Sequence, residues 1–208
     1  MTQPMDEREA RRRYVRRRQS IVFSIVAAVM AVTLLVCSLI FFHRIGASKE
    51  TAQTVQPNYG VAAVCAPKDQ DGNPSKYVDN STVKIRVLNG TKFPGLARAV
   101  GEALAYRKFT LTAMSNYTSE NVQRTTIYFG KNAIAQAYTL NSNFTDAILQ
   151  MDDRQDKLVD VVVGATFNDL KDKKDVPGSG AKISNIEGCH AADTMKSLPH
   201  AITHDSAN

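Results

Sequence analysis

Polar and apolar positions change their pattern along the chain, and each pattern predicts a different kind of structure. From Ser20 to Phe42 the sequence SIVFSIVAAVMAVTLLVCSLIFF runs 23 residues without a charge, Pro, Gly, Asn or Gln. At ~1.5 Å rise per residue this is a helix of roughly 35 Å, enough to cross a ~30 Å hydrocarbon core. The hydroxyls of Ser24, Thr33 and Ser38 can bond back to carbonyls one turn earlier, which leaves no polar group orphaned in lipid. A cleaved signal peptide carries a shorter apolar region of about 7 to 15 residues. Here the apolar run is longer and meets His43 and Arg44, so an uncleaved anchor is expected, with Gly46, Ala47 and Ser48 as the features a cleavage site would use.

Residues 43–79 lose all periodicity. Gly46, Pro57, Gly60, Pro67, Gly72 and Pro74 punctuate a polar stretch, which predicts an extracytoplasmic stalk. Regularity returns at Thr82. Val83, Ile85 and Val87 alternate with Lys84 and Arg86, the period of a half-buried strand. Asn89-Gly90 marks a turn, and Pro94 suits the first position of a helix because its missing N–H would be unpaired there. Leu96, Ala99, Val100, Ala103 and Leu104 give that helix an apolar stripe, and Arg107 and Lys108 suit its negative end.

Alternation resumes from Phe109 to Ser115 and from Arg124 to Phe129, a second helix is expected from Lys131 to about Leu140, and Phe144 to Met151 reads as an extra strand or a turn. Leu158 to Ala165, nearly continuous in Val, reads as a strand covered on both faces. We therefore expect an α/β fold, an α+β sandwich in the order β-α-β-β-α-β, with a small sheet packed on two helices and one transmembrane helix in front. The expected divisions are a basic cytoplasmic tail (1–19), the span (20–42), the stalk (43–79), the folded domain (80–168) and a flexible tail (169–208).

Charge adds an orientation. Residues 1–44 carry eight Arg against Asp6, Glu7 and Glu9, whereas the rest of the chain is nearly neutral, so most of the formal net charge of +6 flanks the span. Arg11, Arg12, Arg13, Arg16, Arg17 and Arg18 precede it directly, and basic residues at one end of a span place that end in the cytoplasm. The Arg run is read as topology and lipid attraction, not as nucleic-acid recognition. The folded domain is then extracytoplasmic, where disulfides are permitted. With Cys37 inside the span, Cys65 and Cys189 are the natural pair, two free thiols being the alternative.

The segment VKIRVLNGTKFPGLARAVGEALAYRKFTLTAMSN, followed by RTTIYFG and VDVVVGATF, resembles the LytR C-terminal domain family, an α/β module of Gram-positive envelope proteins. The features that carry the resemblance are the strand Val83 to Leu88, the turn Asn89-Gly90-Thr91, the helix opening Pro94-Gly95-Leu96-Ala97 and the late hydrophobic strand from Val161 to Phe167. In larger members this module follows a domain that transfers wall polymers from lipid carriers. Only a stalk precedes Thr82 here, so that activity is not carried over. The resemblance implies an envelope location and a binding or regulatory role without assigned catalytic residues.

Asn89, Gly90, Thr91, Lys92, Gly95 and Arg98 form the candidate ligand site, since a loop feeding a helix N-terminus presents free N–H groups beside two cations. Leu96 and Ala97 stand where a phosphate loop needs Lys and Ser or Thr, which excludes nucleotide binding. The competing account is that these residues only build the turn. His200 and His204 have the spacing of a zinc pair but lack the intervening Glu, and Asp152, Asp153 and Asp156 lack the Gly and Glu of a calcium loop, so they read as a solvated loop. Neither metal nor cofactor is expected.

The sequence thus predicts a non-enzymatic, single-pass protein of the cell membrane. Its expected partners are the membrane and wall polymer or envelope synthesis and division proteins, with no nucleic acid, in support of wall or division integrity. The alternative is an enzyme or accessory subunit in the attachment of wall polymers.

Overall fold

The computed structural model describes Gln19 and residues 21–38, 57–68 and 72–204. The chain divides into two compact units, Met1–Thr54 and Val55–Asn208. In the first, helix α1 (Ile21–Ser38) is long and apolar enough to cross a membrane, with its side chains exposed. The hydroxyl of Thr33 donates to the carbonyl of Met30, the local satisfaction that a helix in lipid needs. Residues 39–42, expected to complete the span, and the Arg-rich tail up to Arg18 lie outside the described residues.

The second unit is a mixed five-stranded sheet with two helices. Its strands are β1 (Lys84–Asn89), β2 (Thr110–Asn116), β3 (Thr126–Phe129), β4 (Ile148–Met151) and β5 (Val159–Val163). Helix α2 (Leu96–Tyr106) joins β1 to β2, and α3 (Ile134–Asn141) joins β3 to β4. The order across the sheet is β2-β1-β5-β3-β4. β1 runs parallel to β2 and β5, β3 runs parallel to β4, and the two groups meet antiparallel at β3 and β5. The ambiguous stretch before Met151 is thus an edge strand.

Register explains the core. Ile85 lies beside Val159, which lies beside Phe129 and then Met151; Val87 lies beside Val161, Ile127 and Leu149. These side chains share one face and form a single buried cluster with Val100 and Leu104 of α2 and Ile134, Ala137 and Leu140 of α3. The sheet therefore packs on both helices, as the alternation predicts.

Helix α2 departs from its expected start. Pro94 and Gly95 form a turn, with Gly95 at φ 82°, and the buried stripe is Ala97, Val100, Gly101 and Leu104 while Ala99 and Ala103 face outward. Gly101 lies on the stripe because a Cβ there would come within 2.8 Å of the Met114 sulfur on β2.

The segment expected as a stalk is, from Pro57 on, part of the folded unit wherever it is described. Asn58, buried and left-handed at φ 52°, pairs its side-chain amide with both backbone groups of Leu149, donating and accepting at 2.8 Å. Its amide thus acts as a one-residue strand on the β4 edge. Tyr59 follows, its ring 3.7 Å from the Arg124 guanidinium.

Val64 and Ala66 enter the core, the Tyr138 hydroxyl donates to the Val64 carbonyl at 2.7 Å, and Tyr77 donates its N–H to Ala181. The tail expected to be flexible supplies the other half of these contacts. Cys65 donates its N–H to the His190 carbonyl and His190 donates its own to the Ala63 carbonyl, a parallel bridge between Val64 and His190, and Ile183 and Leu170 are buried. Cys65 and Cys189 form a disulfide with their Cα atoms 5.0 Å apart.

Candidate functional site

The loop from Asn89 to Gly95 is built mainly to hold itself. Asn89 is buried at the end of β1, and its side-chain oxygen accepts from the Thr91 N–H at 3.1 Å and the Thr91 hydroxyl at 2.9 Å. Its amide nitrogen donates to the Phe93 carbonyl at 2.9 Å, and the Thr91 oxygen accepts from the Phe93 N–H at 3.2 Å. Gly90 donates to Val163 and accepts from Val122, and a Cβ there would sit 2.7 Å from the Val122 side chain. Asn89, Gly90 and Thr91 therefore spend their polar groups on the turn.

Lys92 is exposed and Arg98 pairs with Glu102 at 3.0 Å on the outer face of α2, with both side chains mostly in solvent. Gly95 caps α2 without a side-chain hydrogen bond. The hollow beside this loop, lined by Asn89, Gly95, Arg98 and Met114 among others, measures about 170 Å³. Of the six residues picked from the sequence, Asn89, Gly95 and Arg98 line it.

A larger hollow, about 430 Å³, opens at the other end of α2. Tyr106, the last residue of the helix, is 76% exposed and holds its ring 4.0 Å below the Lys173 ammonium. Arg107 follows and is fixed in place: it donates to the Asn143 side-chain oxygen at 3.0 Å and to the Lys171 carbonyl at 2.7 Å. Asn80 donates to the Arg107 carbonyl at 2.8 Å, closing the helix end. Lys108 comes next in a left-handed conformation, φ 75°, where helices ordinarily place Gly.

Asp79 also lines the hollow. The Ser81 hydroxyl and N–H both donate to its carboxylate, and these bonds hold its pKa below the usual value. Three cations and one carboxylate line the hollow, which gives it a positive field. The sequence signal was present but weak: Arg107 and Lys108 were read as cations at a helix end, and Lys173 lies in the stretch expected to be flexible.

The loop after β4, expected to be solvated, is in part buried. Asp152 and Arg154 are 1% and 5% exposed, and Asp160, in the middle of β5, is fully buried. The Arg154 guanidinium bonds both Asp152 oxygens and Asp160, and Arg86 holds Asp160 from β1 at 2.8 and 2.7 Å. Burial alone would lower the Arg154 pKa; the hydrogen bonds it donates to Asp152 and the charges of both aspartates outweigh it and raise it. Two cations and two anions close the group, so its role is structural.

The two tail histidines also find carboxylates, not each other. His200 meets Asp153 at 2.7 Å and His204 meets Asp156 at 2.9 Å, while the Thr203 carbonyl accepts from Arg86. The Ala201 N–H and then His200 hold the Asp153 pKa below its usual value. A depressed carboxylate contributes stability above its unfolded pKa and loses it as pH falls through the folded one. The bond from the Ala201 N–H to Asp153 is therefore expected to persist at neutral pH and to be lost only as the pH falls through the lowered Asp153 pKa, read as loss of exchange protection at the Ala201 amide of the full chain in micelles. Among the described residues no group of three or more His, Cys, Asp or Glu is placed to hold a metal.

The order of elements, the Asn-Gly-Thr turn after β1 and the Gly-Ala after β5 coincide with a family model. Residues 82–167 match LytR_C, described as "LytR cell envelope-related transcriptional attenuator". These residues are thus similar to a LytR_C domain. The mixed sheet, both helices and the Asn89 turn fall inside the match, whereas the disulfide and part of the hollow at Tyr106 are built from residues outside it.

No curated protein matches the chain. Among solved structures it is similar to the soluble domain of a conserved hypothetical secreted protein from Mycobacterium marinum, an Rv2700 ortholog. The identity is 26% over 52% of this chain and 82% of that one, with a TM-score of 0.47. It is also similar to the C-terminal domain of RV0431, at 22% identity over 50% of this chain and 87% of that one, with a TM-score of 0.30. The matched family is described as cell envelope-related, and in this chain the matching residues follow an N-terminal apolar helix.

Proposed function

We propose that this is a single-pass envelope protein whose LytR_C domain lies outside the membrane and acts as a non-enzymatic binding module for wall polymer or an envelope protein. The observation that carries the reading is the Cys65–Cys189 bond, which ties the segment entering the domain to the segment leaving it. A structural disulfide persists in an oxidising compartment and not in the cytosol. The six Arg before α1 favour the same orientation. Asn89, Gly90 and Thr91, the residues with the most family-like pattern, are consumed by the turn, which supports a scaffold more than a reaction centre.

Impermeant maleimide applied to intact cells is the test, using the full chain with Cys37→Ser and a reporter at Lys92→Cys. Labelling before lysis, together with in-cell cross-links from the same chain to wall material or envelope synthesis proteins, is the expected result. Labelling only after lysis would overturn the orientation, and with it the function. Cross-links confined to cytoplasmic proteins would do the same.

A further inference from the structure

We propose that the hollow at the C-terminal end of α2 is a binding site for an anionic glycan, a sugar chain bearing carboxylates or phosphates. The inference deepens the reading of the domain as an extracytoplasmic binding module and rests on it. Tyr106 supplies the platform: its ring is 76% exposed at the helix end, and an exposed aromatic face with a polar rim suits the C–H face of a pyranose. Lys173 already sits 4.0 Å from that ring, so a cation is held where an acidic substituent of a stacked sugar would reach it.

Lys108 is the second anchor, and its backbone is the independent sign. A non-Gly residue at φ 75° directly after a helix bears a strain that Gly would not, and such strain marks positions kept for their side chains. Arg107 cannot serve in the same way because Asn143 and the Lys171 carbonyl occupy its guanidinium. It orients the wall, and Lys108 and Lys173, the latter above the Tyr106 ring, supply the charge. Asp79 lines the same hollow and can accept a sugar hydroxyl, which favours a polyhydroxylated ligand over a bare anion.

The probe is fluorescent oligogalacturonate of about five sugars, a carboxylated glycan, titrated onto the full chain in micelles, with oligomaltose as the neutral control and a glycerol-phosphate oligomer as the phosphorylated one. Binding of at least one charged oligomer is expected, with little of the neutral one, and the preferred oligomer identifies the source of the charge. Lys108→Gly and Tyr106→Ala should each weaken binding about tenfold. Lys108→Gly should not lower the melting temperature, because Gly accepts that φ, so its loss of binding cannot be ascribed to unfolding. Lys131→Ala with Lys196→Ala removes two exposed cations elsewhere on the domain and should leave binding unchanged, which separates the site from general charge.

Equal binding of neutral and charged oligomers, no binding of any, or loss with the Lys131/Lys196 pair but not with Lys108→Gly, would each overturn the proposal. If labelling and cross-linking in cells succeed while these titrations fail, the envelope module stands and the hollow is not its glycan site.

Discussion

Replacing Cys65 or Cys189 with Ser is expected to destabilise the folded unit by about 3–5 kcal/mol, measured by urea unfolding of the full chain in micelles. The two cysteines are 124 residues apart, so the bond closes a loop that encloses the whole LytR_C domain and removes much of the freedom of the unfolded chain. Its folded-state neighbourhood is dense enough to make use of that constraint. Val64 is 1% exposed beside it, Cys65 and His190 are hydrogen-bonded in register, and Ala66 donates to the Asn185 side chain at 2.8 Å.

The loss should be uneven. Amides of residues 57–68 and 182–190 are expected to lose exchange protection first, since their ties to the rest are short bridges, while β1 and β5 keep theirs. A variant less than about 1 kcal/mol below wild type would mean that the two segments hold without the bond.

That layer also shows where sequence pattern stops being informative. β1 and β5 were legible because burial on a sheet imposes a period that neighbouring residues share. The described residues of 57–68 and 72–79 look like linker because their order comes from single partners far along the chain: Asn58 with Leu149, Cys65 with Cys189, Tyr77 with Ala181. None of these leaves a local period. The disulfide was found by counting, since only two cysteines lie beyond the apolar helix.

The start of α2 was misplaced for a different reason. Pro94 has the right φ for a first helical residue, but the Asn89 side chain captures the Phe93 carbonyl and carries the chain through one further turn before the helix opens at Leu96. The same capture turned the expected ligand loop into a self-contained turn. The hollow at the other end of α2 escaped notice because Tyr106 and Lys173 are 67 residues apart, and each is unremarkable alone.

Asp160 is the sharpest instance, a carboxylate in a run of Val that reads as purely apolar, and it leads to the second large effect. Arg154→Leu is expected to cost about 3–5 kcal/mol, because breaking a buried ion pair leaves a desolvated charge behind. The loss falls unequally on the two acids. Asp160 keeps Arg86, which holds both its oxygens, whereas the Asp152 carboxylate draws its hydrogen bonds from Arg154.

Asp152→Asn added to Arg154→Leu should therefore recover about 1–2 kcal/mol of the loss, since an amide is cheaper to bury than a lone carboxylate. The site has little room to relax. Gly130 lies against the Arg154 carbonyl so closely that any Cβ would collide with it, and Asp152 donates its N–H to Phe129 at 2.9 Å to continue the β4 ladder. Urea unfolding of the single and double variants decides the matter. An additive double variant, or a single variant within about 1 kcal/mol of wild type, would mean that water enters and solvates Asp152, and that the four charges are not a closed unit.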